Sequence, residues 1–378
     1  MTNPTSQRTN SSARKARWTT LVAAGAAVAA LAVGALPASA SAAERTPAPA
    51  TATFRGPQAP DIAELTRLMA PRSEVAGTMV RLGGSGVRWT EATGPLSQDP
   101  EANFRIGSIT KVFTSTIVLQ LIGEGRFTID TPVQEILPGT LPAHWDPITV
   151  GQLMSHTSGF QEPCVDLKGL QAPPTPAQVV SHWTDPKCAA PQSPVRTQQY
   201  NGVNYFLLGM VIEKATGRSY ADEVQRRIAR PLGLRHTYSP QAGDPTIPGP
   251  VLADPSEIPP WAWAEGGMIS NAPDLERFMT ALMRGRLLRP AEQRQLFVMP
   301  ALSVGVDKDK DRFSMAGLMR SEINGTVVWG KTGSMGRSTN GMFATEHGAR
   351  TVVYSLVPTT RNYTWLRGHI TELVTAGL

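Results

Sequence analysis

Apolar residues fall into three regimes along the chain. Ile62, Leu65, Leu68 and Met69 recur three to four residues apart and predict a first helix over 60–70. Val75 to Leu82 and Gly86 to Thr90 are short β-type runs separated by Gly83-Gly84-Ser85, a hairpin pattern. Ser108 to Gly123 is apolar on most sides, through Val112, Ile117, Leu119, Leu121 and Ile122. That predicts a buried helix ended by Gly123 and Gly125. From about 126 to 300 helical stretches alternate with Pro-rich loops. They include Asn204–Thr216, closed by Gly217 as a C-cap, then Tyr220–Arg230 and Pro273–Arg284. After 310 short strands are predicted at Met315–Met319, Val327–Gly330, Gly341–Thr345 and Arg350–Leu356. Turns such as Asn324-Gly325 and His347-Gly348 join them, and a last helix runs from Tyr363 to Val374. Strands near both ends with helices between predict an α+β fold: one antiparallel β-sheet flanked by the terminal helices, plus a mainly helical lobe.

The N-terminal stretch stands apart from that pattern. Arg8, Arg14, Lys15 and Arg17 precede an Ala/Val/Leu-rich run from Thr19 to Leu36, and small residues follow at Ala38-Ser39-Ala40 and Ala40-Ser41-Ala42. Residues 1–43 therefore read as a secretory signal peptide, removed on export rather than kept as an anchor, and 44–58 as a flexible leader. The protein is expected to be secreted, with no stable membrane insertion after processing. Residues 59–378 form the folded domain, with a sheet lobe from 59–107 and 301–378 and a helical lobe over about 108–300.

The leader also accounts for most of the charge. The formal net charge is +6, and residues 1–42 carry four basic and no acidic side chains, so about +2 remains. That balance, without a basic run interleaved with aromatics, excludes nucleic acid as a partner. The two cysteines, Cys164 and Cys188, lie in a Pro-rich segment. In an exported chain they are expected to pair, closing a loop worth ~3 kcal/mol on the chain-entropy model, against the alternative of two buried thiols.

Candidate chemistry comes from two distant strings. Ser108-Ile109-Thr110-Lys111 opens the predicted buried helix, so the side chains of Ser108 and Lys111 fall on one face. An apolar setting is expected to depress the lysine pKa and let it exchange a proton with the hydroxyl. The spacing alone is weak: Ser12-Ala13-Arg14-Lys15 repeats it in the leader, and an N-cap serine with a snorkelling lysine would look the same. Lys331-Thr332-Gly333 follows the strand Thr326 to Trp329, where the glycine marks close backbone approach. Lys331 and Thr332 there could hold a substrate carboxylate. The backbone N–H groups of Ser108 and Ser334 could form an oxyanion hole.

In this order the two strings are the outer pair of a three-motif set, and the chain resembles the class C β-lactamase and serine DD-peptidase family. The likeness covers essentially residues 60 to 378. It includes Phe104-Arg105-Ile106-Gly107 before Ser108, Leu153-Met154-Ser155-His156-Thr157-Ser158-Gly159, Asn204-Tyr205-Phe206-Leu207-Leu208-Gly209, Arg230-Pro231-Leu232-Gly233-Leu234 and Gly266-Gly267-Met268-Ile269-Ser270. The family's middle motif, Tyr-x-Asn, falls on Tyr200-Asn201-Gly202. The resemblance makes Tyr200 the candidate base. It also exposes a departure, since Gly202 stands where the family has an asparagine that clamps the acyl side chain. Asn201 or Asn204 are the candidates to replace it.

The chain has no G-x-S-x-G elbow and no H-x-x-x-H or H-E-x-x-H spacing, so neither an α/β-hydrolase nor a metal site is expected. His156 reads as a structural histidine in a turn. Trp261 and Trp263 read equally as cleft or core residues. The resemblance implies a serine hydrolase or acyltransferase without cofactor, catalytic through Ser108, Lys111 and Tyr200. Lys331, Thr332 and Gly333 bind substrate, and Ser108 and Ser334 form the oxyanion hole. A D-alanyl-D-alanine carboxypeptidase-like peptidase is the leading expectation. The alternatives are a β-lactamase, an esterase or D-amino-acid amidase, and a penicilloyl- or cell-wall-binding pseudoenzyme.

Overall fold

The computed structural model describes residues 60–164, 174–185, 187–191, 198–240, 262–301, 313–323, 325–336 and 338–378. The stretches read from sequence as signal peptide and leader, and Trp261 and Asn324, lie outside these. The elements in chain order are α1 (Ile62–Met69), β1 (Val75–Gly84), β2 (Trp89–Ala92), β3 (Phe104–Arg105), α2 (Thr110–Gly123), α3 (Val133–Ile136), α4 (Val150–Met154) and α5 (Pro176–Thr184). They continue with α6 (Val203–Thr216), α7 (Tyr220–Val224), α8 (Arg230–Leu232), α9 (Trp263–Gly266), β4 (Ile269–Ser270), α10 (Ala272–Met283) and α11 (Pro290–Gln295). The chain ends with β5 (Met319–Ile323), β6 (Thr326–Met335), β7 (Ser338–Thr345), β8 (Arg350–Pro358) and α12 (Tyr363–Gly377).

The fold is α+β. Its main sheet has the order β2-β1-β8-β7-β6-β5, and every pairing is antiparallel. The first long strand and the last are therefore neighbours, with Thr78 opposite Leu356 and Leu82 opposite Val352. One face is covered by the terminal helices: Leu65, Leu68 and Met69 of α1 and Leu366, Ile370, Leu373 and Val374 of α12 pack with Val80, Val352, Tyr354 and Leu356. Asp61 caps α1 by accepting from Glu64 N, and its own amide donates to Ala376 O at 2.8 Å, so both chain ends meet. On the other face α10 packs against β1, β7 and β8, although it lies within the stretch assigned from sequence to the helical lobe.

The helical part is organised round α2. Thr110 to Leu119 are all buried, with no solvent face, as an apolar-all-round sequence requires. Its polar residues find partners instead: Thr114 Oγ1 donates to Ala264 O at 2.8 Å, and Ser115 Oγ and Tyr205 Oη lie 3.0 Å apart. Phe113 stacks on Phe278 of α10 at 3.8 Å between ring centroids, joining the helical part to the layer behind the sheet. Cys164 and Cys188, 24 residues apart, form a disulfide with their Cα atoms 5.3 Å apart.

Two predicted elements differ from those observed. The stretch read as a strand over Met315–Met319 is mostly a turn: Ser314 N donates to Leu318 O at 2.8 Å, Gly317 has φ +70°, and the strand begins at Met319. The helix read over Tyr220–Arg230 breaks into α7, a π-helical turn over Gln225–Ala229, and α8.

Because Phe113 is fully buried and stacked, Phe113→Ala is expected to cost about 3–5 kcal/mol of unfolding free energy, measured by urea denaturation.

Candidate active site

Ser108 sits in a single 3-10 turn, Gly107–Ile109, that leads directly into α2. The turn depends on Gly107, whose φ is +54°; a Cβ there would also lie 2.7 Å from Ser334 N of β6. From the other side, a Cβ on Gly333 would lie 2.1 Å from Ile106 O and 2.9 Å from Ser108 N. Two glycines thus let the strand edge and the serine turn touch backbone to backbone. The amides of Ser108 and Ser334 sit on these adjoining segments.

One helical step further, Lys111 is only 1 % exposed. Its ammonium uses all three N–H groups: to Ser108 Oγ at 3.1 Å, to the backbone Glu265 O at 2.6 Å and to Glu265 Oε2 at 2.5 Å. Tyr200 Oη donates to the same Ser108 Oγ at 2.7 Å. Lys111 and Tyr200 thus converge on one hydroxyl. Lys331 of β6, also buried, stands 5.0 Å from the centre of the Tyr200 ring and 5.3 Å from that of Phe313, and donates to Thr332 O at 3.1 Å. Thr332 Oγ1 points to Met319 Sδ of β5 at 3.8 Å.

The electrostatics correct the expectation for Lys111. Burial opposes its charge, but the Glu265 carboxylate and the Tyr200 oxygen more than offset this and hold its pKa above the ordinary lysine range. Lys111 is therefore a standing cation. For Tyr200, burial likewise opposes ionisation, but Lys111 and Lys331 overcome it and lower the phenol below its usual value. Of the two groups on Ser108, the tyrosine is the one placed to accept a proton.

His156 is more than a turn residue. Its φ of +58° turns it inward from the end of α4, fully buried, with its ring 4.5 Å from that of Tyr200 and 5.1 Å from that of Phe313. Burial, reinforced by Lys111 and Lys331, pushes its pKa well below the ordinary histidine value, so it stays neutral beneath the tyrosine. Asn204 Nδ2 lies 3.1 Å from its Nδ1, and Gln199 N donates to its carbonyl at 2.8 Å.

Neither asparagine takes the role left open by Gly202. Asn201 Nδ2 donates to Gln161 O at 2.7 Å, and its Oδ1 accepts from Val203 N at 3.0 Å at the start of α6. Asn204 Oδ1 accepts from Ser158 at 2.6 Å. The side chain beside Gly202 is Glu265: a Cβ on Gly202 would be 3.5 Å from its Cδ and Oε2. Sequence reasoning missed Glu265. The available signal was the pairing rule itself, since a buried lysine beside a missing amide needs an acceptor. Trp263 proves to be a packing residue, 6.1 Å from Phe206 and 5.5 Å from Tyr220 between ring centroids. Among the described residues no group of three or more His, Cys, Asp or Glu is arranged to hold a metal ion.

A lysine-flanked serine at a helix start, facing a Lys-Thr-Gly strand edge of an antiparallel sheet, defines the active-site-serine hydrolases. The Beta-lactamase family profile matches residues 65–364, and the chain belongs to that family. Penicillin-binding protein 4 of Amycolatopsis lactamdurans is 30% identical over 197 residues, 46% of this chain and 49% of that protein. Teichoic acid D-alanine hydrolase of Staphylococcus aureus is 33% identical over 144 residues, 38% of this chain and 34% of that protein. These matches span half or less of the relatives' own length. A D-stereospecific amidohydrolase from Streptomyces sp. superposes with TM-score 0.69 at 28% identity, covering 84% of this chain and 98% of that one.

The two cations round Tyr200 set a spectroscopic expectation. Burial raises the pKa of Tyr205, Tyr220 and Tyr354, whereas Tyr200 is lowered. Tyrosinate absorbance on raising the pH is expected to show an early step that is absent in Tyr200→Phe and moves to higher pH in Lys331→Met. An early step unmoved by Lys331→Met would contradict this electrostatic picture.

Proposed function

We propose that the chain is an exported serine hydrolase that cleaves at the carbonyl of a D-amino acid through a Ser108 acyl-enzyme. A D-alanyl-D-alanine carboxypeptidase-like peptidase is its first form. The observation that carries the reading is the convergence of Lys111 Nζ and Tyr200 Oη on Ser108 Oγ. Tyr200, as phenolate, takes the Ser108 proton while Oγ bonds to the carbonyl carbon, and Lys111 remains an ammonium that donates to Oγ. The N–H groups of Ser108 and Ser334 take the charge of the tetrahedral oxyanion. Tyr200 returns the proton to the leaving group, which departs as the acyl-enzyme forms. Water, deprotonated by Tyr200, then bonds to the acyl carbon; the bond to Ser108 Oγ breaks, Tyr200 returns the proton to Oγ, and the acid is released. Lys331, Thr332 and Gly333 of β6 orient the carboxylate side of the substrate.

The basic and apolar segments within residues 1–43 support export, and the sheet and helical lobes are read as meeting at Ser108. D-Configuration is supported by the names of two relatives, a teichoic acid D-alanine hydrolase and a D-stereospecific amidohydrolase. A second form of the reading, a D-aminoacyl amide or ester as substrate, is favoured by Gly202, which offers no amide to hold a longer acyl side chain.

The test is intact-mass spectrometry with a fluorescent penicillin, alongside turnover of a D-alanyl-D-alanine peptide, a D-amino-acid amide and a simple ester. Ser108→Ala is expected to lose at least ~10³-fold in turnover and all covalent adduct. A stable penicilloyl adduct with peptide cleavage supports the peptidase. A transient adduct with drug consumption supports a β-lactamase. Amide or ester turnover without adduct supports the second form, and an adduct with no turnover of any substrate marks a binding protein. Equal residual activity in Ser108→Ala would sink the acyl-enzyme itself.

A further inference from the structure

Glu265 has an unusual position for a carboxylate. It lies in the short turn α9, within hydrogen-bond reach of a lysine that is 1 % exposed, while its own side chain is 21 % exposed. Its two oxygens therefore face different surroundings. Oε2 accepts from Lys111 on the buried side at 2.5 Å. Oε1 takes no hydrogen bond among the described residues and lies on a side chain that reaches solvent. Gly202 adjoins this carboxylate without a side chain of its own: a Cβ there would stand 3.5 Å from Glu265 Cδ and Oε2, in van der Waals contact. Lys111 also donates to the Glu265 carbonyl at 2.6 Å and to Ser108 Oγ at 3.1 Å, so its anchoring does not rest on the carboxylate alone.

We propose that Glu265 is the specificity-determining residue for the acyl half of the substrate, and that its solvent-facing oxygen binds a protonated α-amine on that half. The substrate class is then a D-aminoacyl amide or ester with a free amino group, rather than one whose amine is acylated. The inference rests on the Ser108 acyl-transfer reading and deepens its second form. Physically, a carboxylate shared between Lys111 and a substrate ammonium gives a bridge of two charge-assisted bonds. An N-acylated substrate has a neutral amide in place of the ammonium, so the charge-assisted bond is lost and at most a weaker neutral N–H donor remains.

The test compares D-alanine p-nitroanilide with N-acetyl-D-alanine p-nitroanilide, and uses p-nitrophenyl acetate, which has no amine, to report acylation of Ser108. Wild type is expected to favour the free amine in kcat/KM by at least ~10-fold, the size of one charge-assisted hydrogen bond. In Glu265→Gln that preference should collapse toward unity, with Glu265→Asp retaining part of it. A role limited to holding Lys111 would lower both anilides and the acetate ester by a common factor and leave the ratio unchanged. That result overturns the proposal, as does equal cleavage of both anilides by wild type. Ser108-dependent cleavage of the acetate ester without amine preference would remove this inference and leave the acyl-enzyme reading standing. Failure to cleave any of the three would remove both.

Discussion

Burial of the Lys111 ammonium is the constraint on which the rest of the site depends. A cation with almost no exposure must be fully hydrogen-bonded or lose its charge, and three acceptors from two distant parts of the chain meet that demand. Two of them belong to Glu265, which lies 154 residues further along. The lysine thereby fixes α9 against α2. It also fixes its own protonation state and, by proximity, that of Tyr200. The carboxylate keeps the lysine charged, and that charge, with Lys331, draws the tyrosine phenol below its ordinary range.

Close backbone approach supplies the geometry. The edge of β6 and the turn carrying Ser108 are joined at Gly107 and Gly333, where a side chain on either would meet main-chain atoms. Behind β6 the order of strands places β7 and β8, so the position of Ser334 is braced by the centre of the sheet rather than by a loop. Asn340 of β7 extends the brace, donating to Arg105 O of β3 at 2.9 Å. The helical side is held as firmly, through Phe113 on Phe278 and the buried hydroxyls of α2.

Local regularities made much of this legible in the sequence. The helix of Ser108 to Gly123 announced its burial through the absence of a polar face, and Gly217 does close α6 in the left-handed conformation. The α+β class followed from strands near both ends with helices between them. Illegible features were those set by contacts across the chain. Glu265 carries no local mark of its pairing with Lys111. His156 sits in a short string that looks like an ordinary turn until Tyr200 and Phe313 close over it. The stretch before Met319 has the apolar residues of a strand, but Ser314 and Gly317 fold it back. The depressed lysine pKa expected from burial alone failed for the same reason, since desolvation is visible in sequence and the compensating partner is not.

The adjacency of β1 and β8 has a consequence for how the protein is made. Thr78 and Leu356 face each other in the finished sheet, so β1 leaves the ribosome long before its neighbour exists. At ~5–20 residues per second the delay runs to tens of seconds. Over that interval α1 and β1 have an apolar face with no α12 to cover it and no central strand to pair with. A chain released early would carry Ser108 and Lys111 yet lack β8, against which β7 must pair to brace β6. The order of synthesis therefore places catalytic geometry among the last things acquired, and couples it to the arrival of the C-terminal strand and helix.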